Sequence, residues 1–415
     1  MKKTAVAGLF LALAGSAFAQ QGAVPKDIPH LDHVFYIMME NHGYREIINN
    51  PNAPFINSYA ASSNLATNYY AIGHPSLTNY LEAVGGSNFG VHSDNDPDFH
   101  NAICATNLST GIPNTDNPAS SAICPIAGSG TDAATPVLDC TNEVTGPPCE
   151  INVDGRKSYP AVSTTLGITI ADQLVAAGKT WKTYQESLPM SGPDLVTYSD
   201  GNFSNLTDFS QINPQLNPPL TSDDIVKLYA SKHNPFVYFK NVQEGTNPLV
   251  SYANMVAFDG MQGLWSDLGS SSMPNFSFIV PNQCNDMHGR GNGTAFCNYD
   301  PVSNGTQAGL NPALTILGDQ AVQKIVTAIH ASKAWQTGKN AIVVTWDEND
   351  YSVQPILNRV VTIVETNYGV KGVQSGNTYT HFSLLRSIEG GFGLPCLNHA
   401  CDDTTKSMSD MFAAK

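Results

Sequence analysis

Two hydrophobic periods share this chain. Val34-Phe35-Tyr36-Ile37-Met38-Met39 is an unbroken apolar run that stops at Glu40-Asn41-His42-Gly43. Such a run is the pattern of a strand buried on both faces. Phe276 to Val280 reads the same way and stops at Pro281, before Asn282 to Gly289. Ala341 to Trp346 runs into Asp347-Glu348-Asn349-Asp350, and Val360 to Val364 is a fourth run. Between these lie segments of helical period. Leu77, Tyr80, Leu81 and Val84 predict a helix that Gly85-Gly86 stops. Ile170, Leu174 and Val175 predict a second over 168–178, followed by a strand over 180–184. Val322, Ile325, Val326 and Ile329 predict a third, just before the Ala341 strand. Strand and helix in alternation predict an α/β fold with a mainly parallel central sheet flanked by helices.

The stretch 90–163 breaks this pattern. It is rich in Asn, Asp, Gly, Pro, Ser and Thr, holds Cys104, Cys124, Cys140 and Cys149, and shows no sustained period. Loops of that length are uncommon inside a compact domain, so it reads as a disulfide-pinned insertion or cap. Pro189 to Pro219 is similarly loop-rich. Of the eight cysteines, Cys284 with Cys297 and Cys396 with Cys401 stand near enough in sequence to pair locally. At the start, Lys2 and Lys3 precede an apolar run from Ala5 to Ala14, and Ala17-Phe18-Ala19 offers small residues for cleavage. Residues 1–19 therefore read as a signal peptide and 20–415 as one domain, secreted or periplasmic. No later stretch reaches the ~18 uncharged apolar residues of a membrane helix, so no stable membrane insertion is expected.

Charge narrows the chemistry. Only 13% of residues are charged and the net charge is -15, a field that repels phosphate backbones and argues against nucleic acid. Yet three of the four strands end in acids or His: Glu40-Asn41, Asp286-x-His288 and Asp347-Glu348. Ligands in open α/β sheets bind at that edge, and acids gathered there need a cation to admit an anionic substrate. Ser76 adds a further candidate. Pro75 places it at the N-terminus of the Leu77–Val84 helix, where free N–H groups and the helix dipole hold a phosphate or steady an alkoxide. A serine there is more often an ordinary helix cap, and the local pattern alone favours that reading.

Five motifs in order carry a resemblance: Glu40-Asn41-His42, His74-Pro75-Ser76-Leu77-x-Asn79-Tyr80, Asn285-Asp286-Met287-His288, Thr345-Trp346-Asp347-Glu348 and His381-Phe382-Ser383-Leu384-Leu385. Together they resemble the acid phosphatase/phospholipase C phosphoesterase family of the alkaline phosphatase superfamily, and the short secreted acid phosphatases above all. The resemblance runs from about His33 to Glu389. It implies Ser76 as the nucleophile that forms a phosphoseryl intermediate. One divalent metal (Mg, Ca, Mn or Zn) would be held by Glu40, Asn41, Ser76, Asp347 and Glu348. His288 and His381 would contact phosphate or protonate the leaving oxygen, and Asn41, His74, Asn79 and Asp286 would contact substrate or orient those that do. Oxygen ligands of this kind suit a hard ion.

The expected substrate is a small phosphate monoester or a phospholipid headgroup. The alternative is a phospholipase C-type phosphodiesterase using the same serine and metal. An exported binding protein that kept the fold would be expected to lose Ser76 or an acidic strand end, and neither is lost. An α/β-hydrolase esterase needs G-x-S-x-G, which His-Pro-Ser-Leu-Thr does not supply. Of the other histidines, His330 reads as an ordinary helix-face residue, His33 and His399 as structural or solvated. His92 and His100 fall in the cap. His42 flanks the site and reads as touching phosphate or supporting it from behind.

Overall fold

A computed structural model describes residues 21–89, 167–188, 228–239, 241–242, 245–289, 297–302, 305–349 and 358–414, besides two short antiparallel ladders that pair Thr106–Asn107 with Ile112–Pro113 and Ile126–Ala127 with Ser163–Thr164. The expected signal peptide, the rest of the expected cap with its four cysteines, and the stretch 189–219 lie outside the described residues. Eight strands form one sheet: β1 (His33–Met39), β2 (Asn64–Tyr70), β3 (Trp181–Gln185), β4 (Met255–Ala257), β5 (Phe276–Val280), β6 (Asn340–Trp346), β7 (Thr362–Thr366) and β8 (Gln374–Thr380). Their spatial order is β8-β2-β7-β6-β1-β5-β3-β4.

The apolar runs occupy the middle. Val34 to Met39 are wholly buried, as is all of β6, and a strand covered on both faces keeps no polar side of its own. Every pairing is parallel except the two that β7 makes, with β6 and with β2. The sheet is therefore mixed, with one reversed strand. The Val360–Val364 run marks β7 two residues early, because Val360 makes only an isolated bridge to Gly43 before the ladder begins at Thr362. Its apolar pattern carries no information about direction.

Five helices matter for the site: α1 (Pro54–Ser62), α2 (Ser76–Gly85), α3 (Ile170–Ala176), α4 (Pro312–Ala331) and α5 (His381–Phe392). α2 packs against α5 and α3, whereas α1 packs against α4. The start of α1 has no cap of its own; Asp319 of α4 supplies one, accepting from the Phe55 and Ile56 N–H groups at 3.1 and 2.8 Å. α4 buries Leu314, Val322, Ile325, Val326 and Ile329, each worth about 1.5–3 kcal/mol of transfer free energy. α2 ends at Gly86, where φ is +71° and a Cβ would run into the Leu397 carbonyl. Only glycine tolerates both conditions. Cys284–Cys297 and Cys396–Cys401 are both disulfides, as their spacing suggested.

Candidate active site

Register brings the strand ends together. Met39 lies beside Trp346 across β1 and β6, and the Asp347 N–H donates to the Met39 carbonyl at 3.0 Å, so Glu40 and Asp347 leave the sheet as neighbours. The Glu40 N–H donates to the Asp286 carbonyl at 2.9 Å, drawing the loop after β5 to the same edge. The Asn41 N–H donates to Asp347 Oδ1 at 3.0 Å. α2 delivers Ser76 from a third direction. Pro75 takes the cap position and Ser76 becomes the first helical residue. Its hydroxyl stands 3.2 Å from Glu40 Oε2 and 3.3 Å from Glu348 Oε1. A capping hydroxyl would face N–H groups; this one faces two buried carboxylates.

Supporting residues fix Glu348. His74 Nδ1 lies 2.7 Å from Glu348 Oε2, and Asn79 Nδ2 donates to the same oxygen at 3.1 Å. Asn79 also donates to the Gly73 carbonyl and accepts from the Ile72 and Gly73 N–H groups. Both of its N–H donors are thus engaged by protein, one in the turn before α2 and one on Glu348. His381 is engaged by protein in the same way. Its Nε2 lies 2.7 Å from the Asp347 carbonyl and its Nδ1 2.9 Å from the Tyr69 hydroxyl. Burial pushes its pKa down to about 4, so a neutral ring holds Asp347 from behind.

His233 and Lys232 carry no expectation from the sequence, yet they complete the site. They sit on a short 3₁₀ turn, Ser231–His233. His233 Nε2 lies 2.9 Å from Glu40 Oε1, its Nδ1 lies 3.4 Å from Asp286 Oδ2, and Tyr80 stacks on its ring at 5.2 Å. Asp286 therefore orients His233, and reaches His288 only through that residue's backbone N–H, at 2.7 Å. Lys232 Nζ stands 3.3 Å from His288 Nε2, while His288 Nδ1 meets the Gly289 carbonyl at 2.9 Å. The only visible signal in the sequence is a Lys-His pair ahead of an apolar run, Pro235 to Phe239, inside a stretch without period. His42 lies behind the site: its Nδ1 meets the Glu40 carbonyl at 3.1 Å, and its Nε2 pairs with Asp300 at 3.0 Å.

The electrostatics are uneven. Burial raises the Glu40 pKa, but the charge and hydrogen bond of His233 outweigh burial and hold it below its ordinary value. Burial lowers the His233 pKa, and Glu40 and Asp286 more than reverse that. Asp347 is different: burial, then the charges of Glu40 and Glu348, push its pKa well above the carboxylate range, and its Oδ2 has no hydrogen bond among the described residues. Burial, then Lys232, depress His288 to about 3, leaving a neutral ring.

A cation fits this arrangement. Glu40, Asp347 and Glu348 are three buried acids whose charges act on one another, and an ion between them would relieve the repulsion and give Asp347 Oδ2 the partner it lacks among the described residues. A second set, Glu40 with His233 and His288, also brings one ligand atom each within 4.8 Å of one another. The Lys232 ammonium beside His288 repels a cation from that side and favours an anion.

The model of the Phosphoesterase family matches residues 45–297. An acid phosphatase of Aspergillus fumigatus is 24% identical over 364 residues, covering 88% of this chain and 55% of that protein. A phosphatidylinositol-3-phosphatase of Mycobacterium tuberculosis is 24% identical over 386 residues, covering 92% and 84%. The chain thus spans about half the length of the fungal relative. A solved alkaline phosphatase superfamily protein of Vibrio parahaemolyticus aligns at a TM-score of 0.42 with 10% identity, over 92% of this chain and 72% of that one. The family match covers more than half of the chain and includes Ser76, His233, Asp286 and His288; the chain belongs to the Phosphoesterase family.

Proposed function

We propose that this protein is a phosphatase that hydrolyses small phosphate monoesters through Ser76. The observation that carries the reading is the Ser76 hydroxyl at the first residue of α2, set between Glu40 and Glu348. Each carboxylate is within reach to take the hydroxyl proton as the oxygen attacks phosphorus. The new bond is Ser76 Oγ to phosphorus, the bond that breaks joins phosphorus to the alcohol oxygen, and the alcohol leaves with a proton. Water then cleaves the phosphoseryl ester and releases phosphate. The start of α2 supplies backbone N–H groups for the phosphoryl oxygens.

Glu40, Asp347 and Glu348, with Asn41 and Ser76 at their side, would hold one divalent metal, which supplies positive charge against the phosphoryl oxygens and lowers the serine pKa. His74 and Asn79 orient Glu348, and His381 steadies Asp347. His233, charged between Glu40 and Asp286, and Lys232 would serve as proton donors, because His288 is neutral with Nε2 facing the lysine. Two relatives named acid phosphatase and phosphatidylinositol-3-phosphatase support a monoester, free or on a phosphoinositide headgroup.

Turnover of p-nitrophenyl phosphate by metal-replete protein, abolished by Ser76→Ala, is the expected result. Hydrolysis of bis-p-nitrophenyl phosphate alone would favour the phospholipase C-type diesterase. Full activity in Ser76→Ala would sink both.

A further inference from the structure

Tyr299 packs on the far side of His288 from His233 and reaches solvent. Its side chain is 50% exposed, although a ring of that size gains by burial. The ring meets His288 edge-on, with centroids 5.8 Å apart and planes at 67°. His288 in turn lies 5.5 Å from His233, which bonds Glu40. A chain of contacts thus runs from Ser76 through Glu40, His233 and His288 out to an open aromatic face.

The segment carrying Tyr299 is fixed from several sides. Cys297 is tied to Cys284. Asp300 Oδ2 pairs with the buried His42 at 3.0 Å, and Asp300 Oδ1 accepts from the Asn311 N–H at 2.7 Å. Asn311 Nδ2, just ahead of α4, donates to the Asn298 carbonyl at 3.0 Å. Both neighbours of Tyr299 are therefore anchored, one of them to the residue that braces Glu40. An exposed aromatic on a tethered backbone offers a flat apolar surface at little entropic cost. Val302, three residues on, is 56% exposed and adds to the apolar character of the segment.

We infer that Tyr299 is a specificity-determining residue that walls the leaving-group side of the site and selects phosphate esters of aromatic or flat apolar alcohols over those of small aliphatic ones. The inference rests on the phosphatase reading. It places no reacting atom on Tyr299: the ring packs against the group that departs, not against phosphorus.

The test reads binding rather than turnover, so the two readings fail separately. Full-length, metal-replete protein is titrated calorimetrically with inorganic phosphate, methylphosphonate and phenylphosphonate, in the wild type, Tyr299→Phe and Tyr299→Ala. The wild type and Tyr299→Phe should prefer phenylphosphonate to methylphosphonate by about three- to tenfold. In Tyr299→Ala that preference should vanish while methylphosphonate affinity stays unchanged, which also certifies the fold. An equal preference in Tyr299→Ala and wild type would overturn this inference and leave the phosphatase reading standing. Failure of all three ligands to bind the wild type would overturn both.

Discussion

Two buried carboxylate clusters occupy opposite ends of one sheet, and they are built on opposite principles. At the amino ends of β1 and β6, Glu365 of the reversed strand β7 accepts from Tyr59 at 2.9 Å and Lys371 at 2.9 Å, and pairs with His330 at 2.7 Å. Burial works to raise its pKa, but His330, Lys371 and Tyr59 outweigh it and hold Glu365 at about 2. At the carboxyl ends, Glu40, Asp347 and Glu348 stand within one neighbourhood. There His233 balances Glu40, while Asp347 keeps an oxygen without a hydrogen bond and a raised pKa. A closed network stabilises; an open one waits for a ligand and costs stability until it arrives. The same residue types serve both ends, so what separates structure from function is whether the partners balance.

The sharpest way to break that contrast is at the serine. Ser76→Ala should lower kcat for p-nitrophenyl phosphate by about three orders of magnitude or more, with circular dichroism and melting temperature near wild type. A drop of only a few fold would return Ser76 to the role of a helix residue. Next is the cation. Dialysis against EDTA should reduce activity by about a hundredfold or more, with recovery on adding Mg²⁺, Mn²⁺, Ca²⁺ or Zn²⁺. If the open cluster is what binds, the restoring ion also raises the melting temperature, by the equivalent of about 2.7 kcal/mol at a hundred times its Kd. A cation that left the melting curve untouched would contradict the open-cluster account.

A smaller effect is expected one step back from the metal. His74→Ala frees Glu348 from its 2.7 Å partner and should cost about 10- to 100-fold in metal affinity or activity. An unchanged metal titration curve would show that Asn79 alone suffices to orient the carboxylate. The smallest effect belongs to the closed cluster. Glu365→Gln should leave kcat alone and cost about 1–2 kcal/mol at pH 7, discounted because His330 and Lys371 reach solvent. The sign follows from the depressed pKa. The contribution is complete above the unfolded value of about 4.3 and fades as pH falls toward 2. Denaturant curves of the two proteins should therefore converge below about pH 4; a gap that widened there would reverse the argument.

Much of this molecule is legible in its sequence, and the reason is local. β1, β5 and β6 are short apolar runs with no polar face, and each is written where its residues stand. Glu40, Asp347 and Glu348 follow their strands directly and Asp286 lies six residues past β5, so the four acids could be read as one edge without coordinates. Ser76 was legible as a helix start, though not which way its hydroxyl turned. His233 was not legible. It lies 193 positions from Glu40, on a 3₁₀ turn with no period, and only folding brings the pair to 2.9 Å. Asn79 and His381 were legible as site residues by resemblance, but their hydrogen bonds go to Glu348 and to the scaffold, which a motif cannot tell.

The sequence alone determined the identity and type of the buried elements, the serine at a helix start and the acids at the strand ends, because these depend on residues a few positions apart. Tertiary structure decided the rest: the reversal of β7, the pairing of His233 with Glu40, and the anchoring of Tyr299 over His288. Each depends on contacts between segments far apart in the chain, whose register and side-chain direction are set by packing, and packing leaves no local trace in the sequence.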